Sequence, residues 1–199
     1  MVIGFGGKIG SGKSTLAERL VGLGWKKVSF ADPLKKLVAE MIGVRPDEIN
    51  SLKNIRKEYK FGTTIAIFLS NETGLDGQVI SRMLKGKTFY DVREILQYVG
   101  TDIIRRLRPD WHCERLKMRI LEEPDENYVI DDIRFPNELE MVRSLGNSSV
   151  WYVDRPGNDE NSHSSENSLS AKDFGGNIIV NDGTVEELFE EFKRRSWLK

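Results

Sequence analysis

Apolar and polar positions along the chain follow two rhythms. Short apolar runs containing β-branched residues, "VIGF" (2–5), "KVSFA" (27–31), "YVIDDI" (128–133), "SVWYVD" (149–154) and "NIIV" (177–180), predict five strands. Between them the apolar residues recur three and four apart. "KSTLAERLVGLG" follows the first strand, "PLKKLVAEMIG" the second and "PNELEMVRSLG" the third, and "TVEELFEEFKRRSW" comes after the fifth. Pro33 and Pro136 sit where a first helical turn accepts proline, and Gly43 and Gly146 where a helix ends. Strand and helix in alternation predict a parallel sheet covered on both faces.

Two stretches break this alternation. Residues 45–87, with "RPDEINSLKNIRKEYKFGT", "NETGLDG" and "LKGKT", read as an inserted lobe beside the sheet. Residues 155–176, "RPGNDENSHSSENSLSAKDFGG", offer few side chains able to anchor a core, and their length and polarity predict a mobile, functional loop. No internal repeat is present. The 199 residues suit a single domain carrying these additions.

Composition narrows the function classes. Thirty Lys and Arg against 31 Asp and Glu leave a net charge of −1, so there is no general attraction to nucleic acid or to an anionic membrane, and any affinity for phosphate must be local. The N-terminus enters the first strand without a cleavable leader, and no apolar run approaches the roughly 18 residues of a membrane span. The expectation is a cytoplasmic protein. Cys113 is the only cysteine, which excludes an internal disulfide and a cysteine-based metal site, and His112 and His163 are too few for a zinc site.

The strongest chemical signal is "GKIGSGKST" (7–15), between the first strand and the first helix. Gly7, four residues, then Gly12-Lys13-Ser14 is the spacing of a P-loop, in which backbone N–H groups surround phosphate oxygens, the lysine reaches the β and γ phosphates and the hydroxyl ligates magnesium. The second strand runs into "FADPLKK", placing Asp32 and Lys35 at the carboxyl edge of the sheet, where ligands of open α/β sheets bind. Lys35 suits an incoming phosphate; Asp32 either orders magnesium or a substrate hydroxyl, or caps the helix beginning at Pro33.

Along "DVREILQYVGTDIIRRL" (91–107), steps of roughly 100° place Val92, Ile95, Leu96, Val99 and Ile103 on one stripe and Arg93, Gln97, Gly100 and Thr101 on another. The second stripe is either a recognition face, with arginine for phosphate, an amide for a base edge and glycine for close approach, or a solvated one. "YVIDDIRFPNE" (128–138) has the form of a Walker B strand ending in two aspartates, of which alternation lets one face the magnesium. Arg134 can reach a phosphate, and Glu138, one turn on, can orient it, contact a sugar hydroxyl or pair with it. Trp111 stacks on a base or joins the core, and Arg155, leaving the fourth strand, lies against a nucleotide base or is structural.

With these residues in view, the chain resembles the bacteriophage deoxynucleoside monophosphate kinases, within the wider group of P-loop nucleoside monophosphate kinases. The likeness is carried, in order, by "GKIGSGKST", "FADPLK", "REILQYVGTD" followed by "DW", "IDDIRFPNE", "VDRPG", "SHSSE" and "NDGTVEELF". It implies a three-layer P-loop kinase fold with a five-stranded parallel sheet ordered 2-3-1-4-5. It also implies ATP on Gly10, Ser11, Gly12, Lys13, Ser14 and Thr15, with magnesium on Ser14 and Asp132. Lys35, Arg93, Gln97, Gly100, Thr101, Trp111, Asp132, Arg134 and Glu138 would line the deoxynucleotide site, and Lys13, Arg93 and Arg134 would neutralise the transferring group. The partners so implied are small molecules, with no nucleic acid or membrane and with a homodimer compatible, in the host cytoplasm for a phage-encoded enzyme. Two other classes share the loop: a dephospho-coenzyme A kinase, with Asp32 as base, and a nucleotide-gated binding protein.

Overall fold

The computed structural model describes residues 1–157 and 168–196. Its elements run β1 (Val2–Gly6), α1 (Lys13–Val21), β2 (Lys26–Val28), α2 (Asp32–Ile42), α3 (Ile49–Leu52), β3 (Tyr59–Lys60), α4 (Thr63–Thr73) and α5 (Gly77–Leu84). They continue with β4 (Thr88–Phe89), α6 (Val92–Gln97), α7 (Trp111–Glu122), β5 (Tyr128–Ile133), α8 (Pro136–Arg143), β6 (Ser148–Asp154), β7 (Ile178–Val180) and α9 (Val185–Arg195). The chain divides into two compact units, Met1–Phe30 with Leu116–Lys199, and Ala31–Arg115.

The first unit is built on a five-stranded sheet in the order β2-β5-β1-β6-β7, parallel at every pairing. Counted within this sheet alone, the order is 2-3-1-4-5. The central strand β1 is buried throughout, as expected of a strand covered on both sides. Ile3 and Phe5 join Leu16 and Leu20 of α1 and Leu188 and Phe192 of α9 in one core cluster. On the opposite face the fit is close enough to require glycine: a Cβ on Gly4 would lie 2.5 Å from Ile133 and 3.3 Å from Val142 of α8, and one on Gly6 would lie 2.2 Å from the Phe174 ring.

Phe174 closes a 3-10 turn, Ala171–Phe174, and is fully buried against Tyr152. One aromatic ring thus anchors the end of a stretch whose composition promised few anchors. Residues 158–167, which include "SHSSE" and the middle of the expected mobile loop, lie outside the described residues. The second strand is shorter than its apolar run: the ladder ends at Val28, and beyond it the Asp132 carboxylate accepts from the Ser29 hydroxyl at 2.5 Å and the Phe30 amide at 3.1 Å.

The second unit holds α2 to α6, the first residues of α7 and a two-stranded antiparallel ladder pairing Tyr59 with Phe89. Its core gathers Leu37, Leu69, Ile80, Val92, Val99 and Trp111, among others. The expected lobe at 45–87 forms α3, β3, α4 and α5 within this unit. Cys113, at the start of α7, is 5% exposed. Among the described residues no helix is long and apolar enough to cross a membrane, and no group of three His, Cys, Asp or Glu side chains is placed to hold a metal ion.

Candidate active site

The loop between β1 and α1 turns through glycines at positive φ, Gly7 at 136° and Gly12 at 108°. Gly12 stands immediately before α1 and brings no side chain to cap it, and helix starts of this kind favour anions. Lys13 folds back over the loop, its Nζ donating to the carbonyls of Gly7 at 2.7 Å and Lys8 at 2.5 Å. A cavity of about 270 Å³ opens here, lined by Gly10, Gly12, Lys13, Ser14, Thr15 and Arg155. Arg155 Nη1 donates to the Gly10 carbonyl at 3.3 Å. Ser11 is buried, and Asn181, also on the cavity wall, donates from Nδ2 to its carbonyl at 2.8 Å.

In the same unit the two aspartates near the end of β5 diverge as strand alternation requires. Asp131 pairs with Lys27 at 2.9 Å, while Asp132 is held by Ser29 and Phe30. Arg134 is exposed where the chain leaves β5. Glu138 is 2% exposed, and its Oε2 accepts from the backbone amides of Arg134 at 2.8 Å and Phe135 at 3.1 Å. This carboxylate at the third residue of α8 closes the helix start and fixes the backbone that carries Arg134.

The second unit has its own cleft, about 400 Å³, lined chiefly by Leu34, Lys35, Lys53, Arg93, Leu96 and Gln97. Burial first, and then the charges of Lys35 and Arg93, hold the Lys53 ammonium below its usual range. A lysine whose folded-state pKa is depressed weakens the fold while it is charged, and that penalty fades as pH rises towards its ordinary value. At neutral pH the cleft therefore carries an unfavourable concentration of positive charge, one that a bound anion would relieve.

Residues 65–192 match the family model described as deoxynucleotide monophosphate kinase. The chain belongs to this family. A putative deoxynucleotide monophosphate kinase of Acanthamoeba polyphaga mimivirus is 30% identical, over 96% of this chain and 93% of that protein. The deoxynucleotide monophosphate kinase of Enterobacteria phage T4 is 34% identical over 52% of this chain and 44% of its own length. A solved structure, a dephospho-CoA kinase from Campylobacter jejuni, superposes with TM-score 0.41 at 17% identity, covering 97% of this chain and 94% of that one.

For this member of the deoxynucleotide monophosphate kinase family, the structure brings together Gly10, Gly12, Lys13, Ser14, Thr15 and Arg155 in one cavity, and Lys35, Arg93 and Gln97 in the other. Gly100 and Trp111 are placed differently. From Tyr98 to Arg105 the helix winds as a π-helix, in which each residue turns through less than the α step. Gly100 consequently rotates from the Arg93 face to the buried side, where a Cβ would lie 2.4 Å from Leu34 Cδ2. Its close approach is to α2, and Thr101 stays exposed. Trp111 is 2% exposed in the core of its unit, with the Arg115 guanidinium over its ring.

Gly100→Ala is expected to destabilise by about 1 kcal/mol, since overpacking of about 1–3 kcal/mol outweighs the roughly 1 kcal/mol gained in helix propensity. A calorimetric melt should show a fall of about 2–4 °C. Two polar lining side chains, Lys53 and Asn181, were not among the residues expected from the sequence. Lys53 sits in a charged stretch that reads as solvated surface, whereas Asn181 opens the "NDGTVEELF" segment and was visible as part of a motif without a role.

Proposed function

We propose that this chain transfers the γ-phosphoryl group of ATP to a deoxynucleoside monophosphate, giving the diphosphate and ADP. The observation that carries the reading is the glycine loop turning into α1 at Gly12, with Lys13 folded over it, in a chain that also holds a cationic cleft lined by Lys35, Lys53 and Arg93. The names of the relatives supply the acceptor class.

The loop would hold the phosphates of ATP, with Arg155 beside it. Ser14, exposed on the cavity, and Asp132, oriented by Ser29 and Phe30, fit the oxygen ligands that magnesium takes; bound there, the ion would draw off charge from the phosphates. An acceptor phosphate oxygen is already anionic, so transfer needs no strong base. It needs alignment and charge neutralisation, for which Lys13, Arg93 and Arg134 are the cations proposed. Gln97 and Lys35 would hold the acceptor, and Glu138 would act through the Arg134 backbone it fixes. The 45–87 segment would serve as the acceptor lobe, and closure of that lobe or of the polar 155–176 stretch would limit hydrolysis of ATP.

The test is ADP release from ATP and magnesium with each deoxynucleoside monophosphate in turn, with dephospho-coenzyme A as a further acceptor. Release that depends on a deoxynucleotide is the expected result. Release only with dephospho-coenzyme A would move the assignment to that kinase, and ATP binding without any acceptor-dependent release would leave a nucleotide-gated binding protein.

A further inference from the structure

The cleft of the second unit gathers cations from three separate elements: Lys35 from α2, Lys53 from just beyond α3 and Arg93 from α6. The Asp32 carboxylate offsets part of that charge, its Oδ1 accepting from Lys35 Nζ at 3.0 Å. Among the cleft-lining residues Lys35, Lys53 and Arg93 are the charged ones, so the lining itself is positive. A phosphate monoester brings about −1.5 to −2 at pH 7, whereas a carboxylate brings one charge and a nucleoside none. The positive lining favours the monoester.

The α3 end does more than add a charge. Asn54, next to Lys53, accepts through Oδ1 from Arg93 Nη2 at 3.2 Å, so one short segment supplies a cation and steadies another. Leu34 and Leu96 give the same cleft apolar wall, suited to a sugar or base beside the charged end. We propose that Lys53 binds the 5′-phosphate of the deoxynucleoside monophosphate and that Asn54 is a positioning residue for Arg93. This rests on the kinase reading above. Like charges packed side by side are unfavourable until an anion arrives, and the depression of Lys53 by burial and by its two neighbours is the mark of that arrangement.

The experiment compares wild type, Lys53→Met, Lys53→Arg and Asn54→Ala in steady-state kinetics and in calorimetric titration with each deoxynucleoside monophosphate, with the matching deoxynucleosides as phosphate-free controls. Lys53→Met should raise the acceptor KM and Kd about 10- to 100-fold, as loss of a charge-assisted phosphate contact does. The KM for ATP should stay unchanged and the melting temperature should hold or rise. Lys53→Arg should restore most of the affinity, Asn54→Ala should show a smaller rise in acceptor KM, and the deoxynucleosides should bind no better to wild type than to Lys53→Met. Equal acceptor Kd in wild type and Lys53→Met overturns the inference while leaving the kinase reading intact. Phosphate-dependent binding lost in Lys53→Met, without turnover in wild type, upholds the inference and overturns the kinase reading. No binding of any deoxynucleotide to wild type overturns both.

Discussion

Lys13→Ala is expected to lower turnover about 10²- to 10³-fold while leaving the protein folded. The ammonium lies over the loop that begins α1, donating to the Gly7 and Lys8 carbonyls, on the wall of the cavity with Gly10, Ser14 and Arg155. When a γ-phosphoryl group leaves ADP, charge builds on oxygens such a cation can meet, and removing one preorganised donor from a water-poor site commonly costs about 2.7–4 kcal/mol in the transition state. The side chain is only partly buried, so its deletion creates no sizeable core void. The melting temperature should move by no more than about 4 °C, the equivalent of about 1 kcal/mol for a chain of this size. Single-turnover measurement of phosphoryl transfer at saturating ATP separates this from weakened binding, and transfer within tenfold of wild type would remove Lys13 from the reaction.

The second large effect is expected at Glu138. Its carboxylate is buried and accepts from two backbone amides, those of Arg134 and Phe135. Alanine would leave both donors without this acceptor, and hydrogen bonds to a charged group contribute about 1.5–3 kcal/mol each. Glu138→Ala should lose about 3 kcal/mol and melt about 6–12 °C lower. Activity should fall more steeply than the folded fraction, because the same contacts fix the backbone from which Arg134 projects. Glu138→Gln keeps an oxygen acceptor without the charge and should lie between the two. A purely structural Glu138 would show the melting shift with unchanged kcat in the folded fraction.

The parts of the fold that depend on near neighbours were legible in the sequence. Short apolar runs located β1, β5, β6 and β7, and the glycine, lysine and hydroxyl spacing located the loop, because strand burial and phosphate cradling are each encoded within a few residues. Features settled by distant partners were not. The π-helical winding at Tyr98–Arg105, which moves Gly100 to the buried side, is not encoded in an apolar stripe that assumes 3.6 residues per turn. Lys53 and Asn54 resemble ordinary surface until folding sets them beside Lys35 and Arg93. Glu138 is an intermediate case: proline at the first position of α8 and glutamate at the third were a readable helix start, but the burial that makes the carboxylate consequential comes from its surroundings.

The buried thiol of Cys113 turns the second unit into its own recorder. It is the single cysteine of the chain and is 5% exposed, so a thiol reagent in solvent reaches it chiefly when the structure around the start of α7 opens. The labelling rate of one native atom then counts opening events with no introduced probe and no competing thiol. A phosphate monoester seated at Lys53 would slow that clock by the same factor by which it stabilises the closed unit, giving the affinity of the cleft without any turnover at all.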